Sequence, residues 1–246
     1  MKFLLYTTLS LGILFFTTIN GQTIVTDRPD FTESAVTIPS GTVQFEGGVS
    51  FDNNNDMNNF TFPALLTRVS LHKSFEVRLG FTGWTYSEEE SKTLMNDLIL
   101  EAKYQLSINP EFPLAILLVS KLPTGSEEIS IENPEYGLKL AASHPVSDYL
   151  SVSSNVGAIS IESNSQRELL YLFSLSMGFT VAERTGWFVE FFTLMPEKSQ
   201  WQPSIDTGFT YLIGDNFQLD MYAGFGLNNY ASDLFGGLGL SYNLKY

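Results

Sequence analysis

Three charged residues on two adjoining stretches, Arg68, Glu76 and Arg78, are the first candidates for chemistry. Only the short turn His72-Lys73-Ser74 separates the stretches, so the side chains can meet across a hairpin. Guanidinium and carboxylate groups placed that way either select solutes at a charged constriction or fill a narrow interior with salt bridges. The spacing allows both. Glu46, Glu101, Lys103, Glu190, Asp206 and Asp220 fall at alternating positions of other stretches and belong to the same candidate set. A second cluster, Asp27-Arg28-Pro29-Asp30-Phe31-Thr32-Glu33, lies ahead of the first regular element. Its four charges, Asp27, Arg28, Asp30 and Glu33, suit a plug or gate at a periplasmic mouth, with Arg28 pairing an interior carboxylate. They equally suit a clasp that orders the N-terminus.

Other chemistries find little support. The chain has no cysteine, which removes disulfides, thiolate catalysis and cysteine metal sites. A serine nucleophile needs a positioned base, usually histidine. The two histidines, His72 and His144, both fall in expected turns, and no glycine-flanked serine motif accompanies them. A lipid hydrolase is therefore the reading with least support. The acidic stretches Asp52–Asp56, Glu88–Glu90 and Glu127–Glu128 lack the glycine and terminal glutamate of a calcium loop. No metal, no cofactor and no enzyme activity are expected. A formal net charge of −14 argues against a nucleic-acid partner, because phosphates need lysine and arginine.

The elements that must carry these side chains are strands. The last stretch shows the pattern: Leu238, Leu240, Tyr242, Leu244 and Tyr246 alternate with Gly239, Ser241, Asn243 and Lys245. Alternate side chains of a strand point to opposite faces, so one face is apolar and the other small or polar. Eleven earlier stretches repeat the theme. They are expected near residues 42–51, 62–71, 75–84, 96–107, 112–122, 135–142, 149–161, 169–181, 186–195, 201–213 and 217–227. The stretch 112–122 is apolar on both faces, and 149–161 alternates weakest. Asp52–Asn59 and Ser143–Asp148 read as loop and turn. Twelve strands of this length suit a tilted membrane crossing, and single-chain bacterial barrels have even strand numbers.

With each strand phased by its apolar residues, no charge falls on the outward face. A charge facing lipid costs up to ~2–4 kcal/mol near the midplane, so a membrane barrel should segregate charges inward. A soluble sandwich would alternate too, but three further features favour the membrane. Residues 1–21 have Lys2 followed by an apolar run from Phe3 to Phe16, the form of a cleaved signal peptide. Turns after strands two, eight and ten are short, whereas loops after strands one, three and five are longer and more acidic. The chain ends on an aromatic residue, which resembles the closing strand and assembly signal of bacterial outer-membrane barrels. The expected organisation is a signal peptide at 1–21, an extended lead-in at 22–41 and an all-β, single antiparallel transmembrane β-barrel at 42–246. The partners would be outer-membrane lipid, the barrel assembly machinery and a small solute. Trp84, Trp187, Trp201, Tyr211, Tyr242 and Tyr246 would form interfacial girdles.

Six stretches together resemble Bacteroidetes-type members of the phenol meta-pathway degradation family, whose proteins are labelled "transporter". They are Thr26-Asp-Arg-Pro-Asp-Phe-Thr-Glu-Ser34, Gln44-Phe-Glu-Gly47, Leu65–Leu79, Leu122-Pro-Thr-Gly125, Asp206–Tyr211 and Gln218-Leu-Asp220. The first is the most specific, and the resemblance spans nearly the whole chain after the signal. It implies an outer-membrane barrel that passes small solutes, apolar or aromatic ones included. The alternative is a non-conducting barrel with a structural role or a binding role in its loops.

Overall fold

A computed structural model describes residues 24–55, 57–89, 91–163 and 166–246. The expected signal peptide lies outside the described residues. The chain forms β1 (Thr42–Asn54), β2 (Met57–His72), β3 (Phe75–Phe81), β4 (Trp84–Ser87), β5 (Lys92–Met95), β6 (Leu98–Ser107) and β7 (Leu114–Leu122). It continues with β8 (Glu135–Ser147), β9 (Leu150–Ser163), β10 (Gln166–Ala182), β11 (Thr185–Pro196), β12 (Gln202–Ile213), β13 (Phe217–Gly226) and β14 (Leu234–Lys245). Every pairing is antiparallel between neighbours, and β1 pairs with both β2 and β14. The sheet is thereby closed, and no edge is left in the membrane. It is a twelve-strand barrel with two extra segments, because the third and fourth strands are each broken once. Gly83, at φ 95°, separates β3 from β4, and Asn96-Asp97 separates β5 from β6. The β4–β5 hairpin adds to β2 at Asn59–Phe62.

The outside is apolar. Phe45, Leu65, Leu79, Leu100, Leu118 and Tyr136 are among the many large apolar side chains left exposed. Buried positions on the same strands are polar or charged, including Gln44, Glu46, Arg68, Arg78 and Lys103. A water-soluble fold buries its apolar face; this one exposes it, as a lipid-facing wall must. The barrel is therefore an outer-membrane one. No helix is long and apolar enough to cross a membrane among the described residues.

Both chain ends of the barrel meet at one end, the periplasmic one. Thr42 lies opposite Lys245, and the Tyr246 amide donates to the Gly41 carbonyl. Four of the five turns at this end span two or three residues, and Ile108–Pro113 spans six.

Three expectations are corrected at the strand ends. Asp52–Asn59 is mostly strand: the strands run to Asn54 and from Met57, and Asn53 donates to the Asn58 side chain. Polar side chains are no obstacle to a ladder that has risen past the lipid into water. The second strand, expected from about residue 62, accordingly begins at Met57 and passes straight through Pro63. That proline falls where the β1–β2 register slips between Gly48 and Ser50, the kind of bulge that tolerates it. Ser143–Asp148 is mostly strand, since His144 and Pro145 pair with Val152 and Ser151. The turn shrinks to Asp148-Tyr149.

Candidate functional site: a lumen filled from the N-terminus

Residues 24–38 do not stop at the mouth. They cross the periplasmic half of the lumen and reach its middle. Ile24, Ala35 and Ile38 are buried, as are Thr32 and Thr37. The segment has no strand partner, so its backbone groups must be met by wall side chains. They are met in order. Gln44 Nε2 donates to the Val25 carbonyl at 2.7 Å, and the amides of Asp27 and Arg28 donate to Glu46. The Phe31 and Thr32 amides donate to the two oxygens of Glu190, at 2.6 and 2.7 Å. Asn155 accepts from the Glu33 amide and donates back to its carbonyl. Further along, the Thr37 amide reaches Gln105 and the Ile38 amide reaches Glu76.

The charges then sort by side. On β2, β3, β6 and β8, inward positions supply Arg68, Arg78, Lys103 and Lys139, with Glu76 and Glu101 among them. Asp27 enters this cluster, bonded to Arg78 and 3.1 Å from Arg68. Glu33 takes Arg78 Nη1 at 2.6 Å and also binds Lys139. Arg78 itself spans Asp27, Glu33, Glu76 and Glu101. Lys103 Nζ donates to the Ser34 carbonyl at 2.6 Å. Burial alone would raise the Asp27 carboxyl, but Arg68, Arg78 and Lys103 outweigh it and hold the group well below its ordinary range. Burial likewise opposes Glu33, yet Lys139 and Arg78 bring it down to about 2.

The other side is different. Arg28 lies on the wall with its guanidinium 2.9 Å from Asp220. It fits because Gly48 and Gly239 carry no side chain; a Cβ at Gly48 would stand 2.7 Å from Nη2. Asp30, by contrast, faces Glu190 and Asp206, which are directly opposed on β11 and β12. No salt bridge reaches these three carboxylates among the described residues. Burial, with Glu190 beside it, pushes the Asp30 carboxyl well above its ordinary value, and the Ser176 hydroxyl offsets only part of that. Asp206 Oδ1 is buried without a hydrogen-bond partner. Aromatic rings cover the same side. Phe31 stacks on Phe192 with centroids 4.6 Å apart and planes 11° apart, and Phe192 meets Phe235 edge-on at 5.8 Å. A cavity of about 450 Å³ remains at the periplasmic side between the segment and β9–β12, lined by Asp30, Ser176, Thr180, Thr210 and Phe188.

Every charged residue proposed for the lumen or the lead-in lies inside the barrel or in the segment that fills it. Lys139 falls inward by the same alternation, though nothing in the sequence points to its pairing with Glu33. Sequence reasoning misses Asn155, on the weakest-alternating strand, and the Phe192 and Phe235 rings. For Phe235 a lone aromatic among the inward small residues of β14 is the available signal; Phe192 shares its face with Phe188 and Glu190 and has none. The apolar inner face of β7 also has its reason here: Leu117 and Ala141 pack on Ala35 of the segment. His144 stacks on Phe112 and contacts the Glu111 carbonyl at the periplasmic rim, and His72 accepts from the Ser74 amide in its turn.

The sequence matches the family described as "Putative MetA-pathway of phenol degradation" over residues 26–244. The chain belongs to that family. Among solved structures it is similar to an outer membrane channel from Pseudomonas putida F1, at 15% identity and a TM-score of 0.64, covering 85% of this chain and 98% of that one. It is also similar to the NanC porin, at 8% identity and TM-score 0.60, over 82% and 100% of the two chains. The KdgM porin in complex with disordered oligogalacturonate matches at 13% identity and TM-score 0.59, over 82% and 98%. At these identities the likeness is one of fold. No curated protein matches in sequence.

Proposed function

We propose that the chain is an outer-membrane channel for small solutes, in which residues 24–38 form a plug that gates the lumen. The observation that carries this reading is the way the segment is held. It is fastened by side-chain hydrogen bonds and ion pairs to the wall, with no strand pairing, so it can leave without unzipping the barrel. The pathway would run along β9–β14, where the cavity and the aromatic rings lie, and the plug's retreat would join that cavity to the outer mouth. Family membership and a fold shared with channels and porins support the same reading. The basic cluster around Arg78 supports a second one, a permanent clasp in a non-conducting barrel, because so dense a network of buried pairs resists opening.

Conductance and liposome swelling decide between them. The mature protein and a variant lacking residues 24–38 are refolded, and each is checked for a heat-modifiable band on gels. The gate reading expects low, intermittent conductance from the full chain and steady solute uptake by the shortened one. A shortened barrel that folds and passes nothing would remove the channel.

A further inference from the structure

We infer that the Phe31 ring occupies a subsite for the aromatic ring of a solute, and that a solute entering from outside opens the plug by taking its place on Phe192. This rests on the gate reading above.

Phe31 is the plug's one large side chain that is not sunk into the wall; 36% of it remains exposed. Its ring lies flat on Phe192, the geometry that a planar ligand would adopt. From Phe192 the rings continue to Phe235, one residue from the outer end of β14. The wall has made room for that ring: a Cβ at Gly224 would collide with it. Asp206 faces the same gap from β12, its Cβ 2.5 Å from the same point. Asp206 Oδ1 is thus an unpartnered buried acceptor beside the ring track. A ring bearing a hydroxyl or amine donor would satisfy it.

The coupling to the plug is short. Phe31 and Thr32 supply the two amides bound by Glu190, so a ring that lifts Phe31 from Phe192 also strains both bonds. The neighbouring Asp30 offers no opposing charge. Displacement therefore costs one stack and one carboxylate clamp, while the incoming ring restores the stack and gains Asp206. The fixed end around Arg78 is untouched.

The test uses the complete mature protein with Ser174→Cys as a reporter, a wall position buried beneath Thr32 and opposite Phe192, because the chain has no cysteine of its own. Maleimide labelling and conductance are measured with benzyl alcohol and with cyclohexylmethanol, which share a hydroxyl but differ in the ring. The expected result is a several-fold rise in labelling and in open probability with benzyl alcohol alone. Phe192→Leu should abolish that response, and Phe31→Leu should open the channel without any alcohol. Equal effects of the two alcohols would reveal a membrane effect and overturn the inference, as would an unchanged response in Phe192→Leu. A benzyl alcohol failure alongside an open shortened barrel overturns the subsite and leaves the gate standing. A shortened barrel that stays closed overturns both.

Discussion

The two sides of the lumen hold one segment by opposite means. On β2, β3, β6 and β8 the plug's Asp27 and Glu33 meet four cations, and each carboxylate is multiply bonded. On β11 and β12 its Asp30 meets two more carboxylates, with one serine hydroxyl beside it, and the grip passes to backbone amides and a stacked ring. Buried charges are costly unless paired, and a buried pair that loses one partner is far worse off than one never formed. The basic side is thus hard to leave. The acidic side is held by contacts of ordinary strength, so it is the side that can let go.

The largest effect should come from Arg78→Met. It would leave Asp27, Glu33, Glu76 and Glu101 without their shared cation, at a cost of about 3–5 kcal/mol. Thermal unfolding should move down by many degrees, and labelling of a cysteine at position 174 should rise to that of an unplugged barrel. If Arg78→Met melts like the wild type, the two sides do not differ as described.

Glu190→Ala should act on the other side only. Removing the acceptor of two amides costs about 1–3 kcal/mol at that clamp. The expected result is frequent opening in conductance records with a much smaller loss of melting temperature than Arg78→Met gives.

A pH series separates the sides by sign. Asp27 and Glu33 have lowered values, so their stabilisation is present above the unfolded range and lost only as pH falls toward about 2. Asp30 has a raised value, so its contribution is present in acid and lost as pH rises through that value. The groups that shift it most are Glu190, Ser176 and Asp27, and it raises Asp206 in turn; Arg28, Asp148, Glu183 and Arg184 line the same cavity, with Arg28 paired to Asp220. Open probability should increase with rising pH, and Asp30→Asn should flatten that slope.

The smallest effect is expected from Asp206→Asn. It relieves crowding beside Glu190 and should lower basal opening by a few-fold while leaving the melting temperature nearly unchanged. A variant that opens as often as the wild type would show that carboxylate crowding is no part of the weak side.

Much of this architecture is legible in the sequence because a membrane barrel writes its two environments at alternating positions. Leu238–Tyr246 and the inward charges Glu46, Arg68, Glu76 and Arg78 are of that kind. What fails to show follows from the same rule. Where the ladder climbs past the lipid, at Asn53–Asn59, outward residues need not be apolar, and the strand reads as loop. Where the lumen is filled by an apolar residue, as Ala35 fills it against Leu117 and Ala141, the inward face need not be polar, and β7 reads as ambiguous. The lead-in displays its charges but not their partners. The Asp27–Arg78 pairing joins residues far apart in sequence, and nothing local to either one specifies the other.

Pro39-Ser40-Gly41 joins the plug to β1, and Gly41 is fixed at the rim by the Tyr246 amide, with φ 72° turning the chain back into the lumen. A plug released from its contacts would still hang from that short leash. Its effective concentration at the site would stay on the order of mM or above. Reclosing would then be a first-order event, independent of how many copies the membrane holds. The closed time would be set by how fast the contacts break, and the open time by how long a solute keeps the seat.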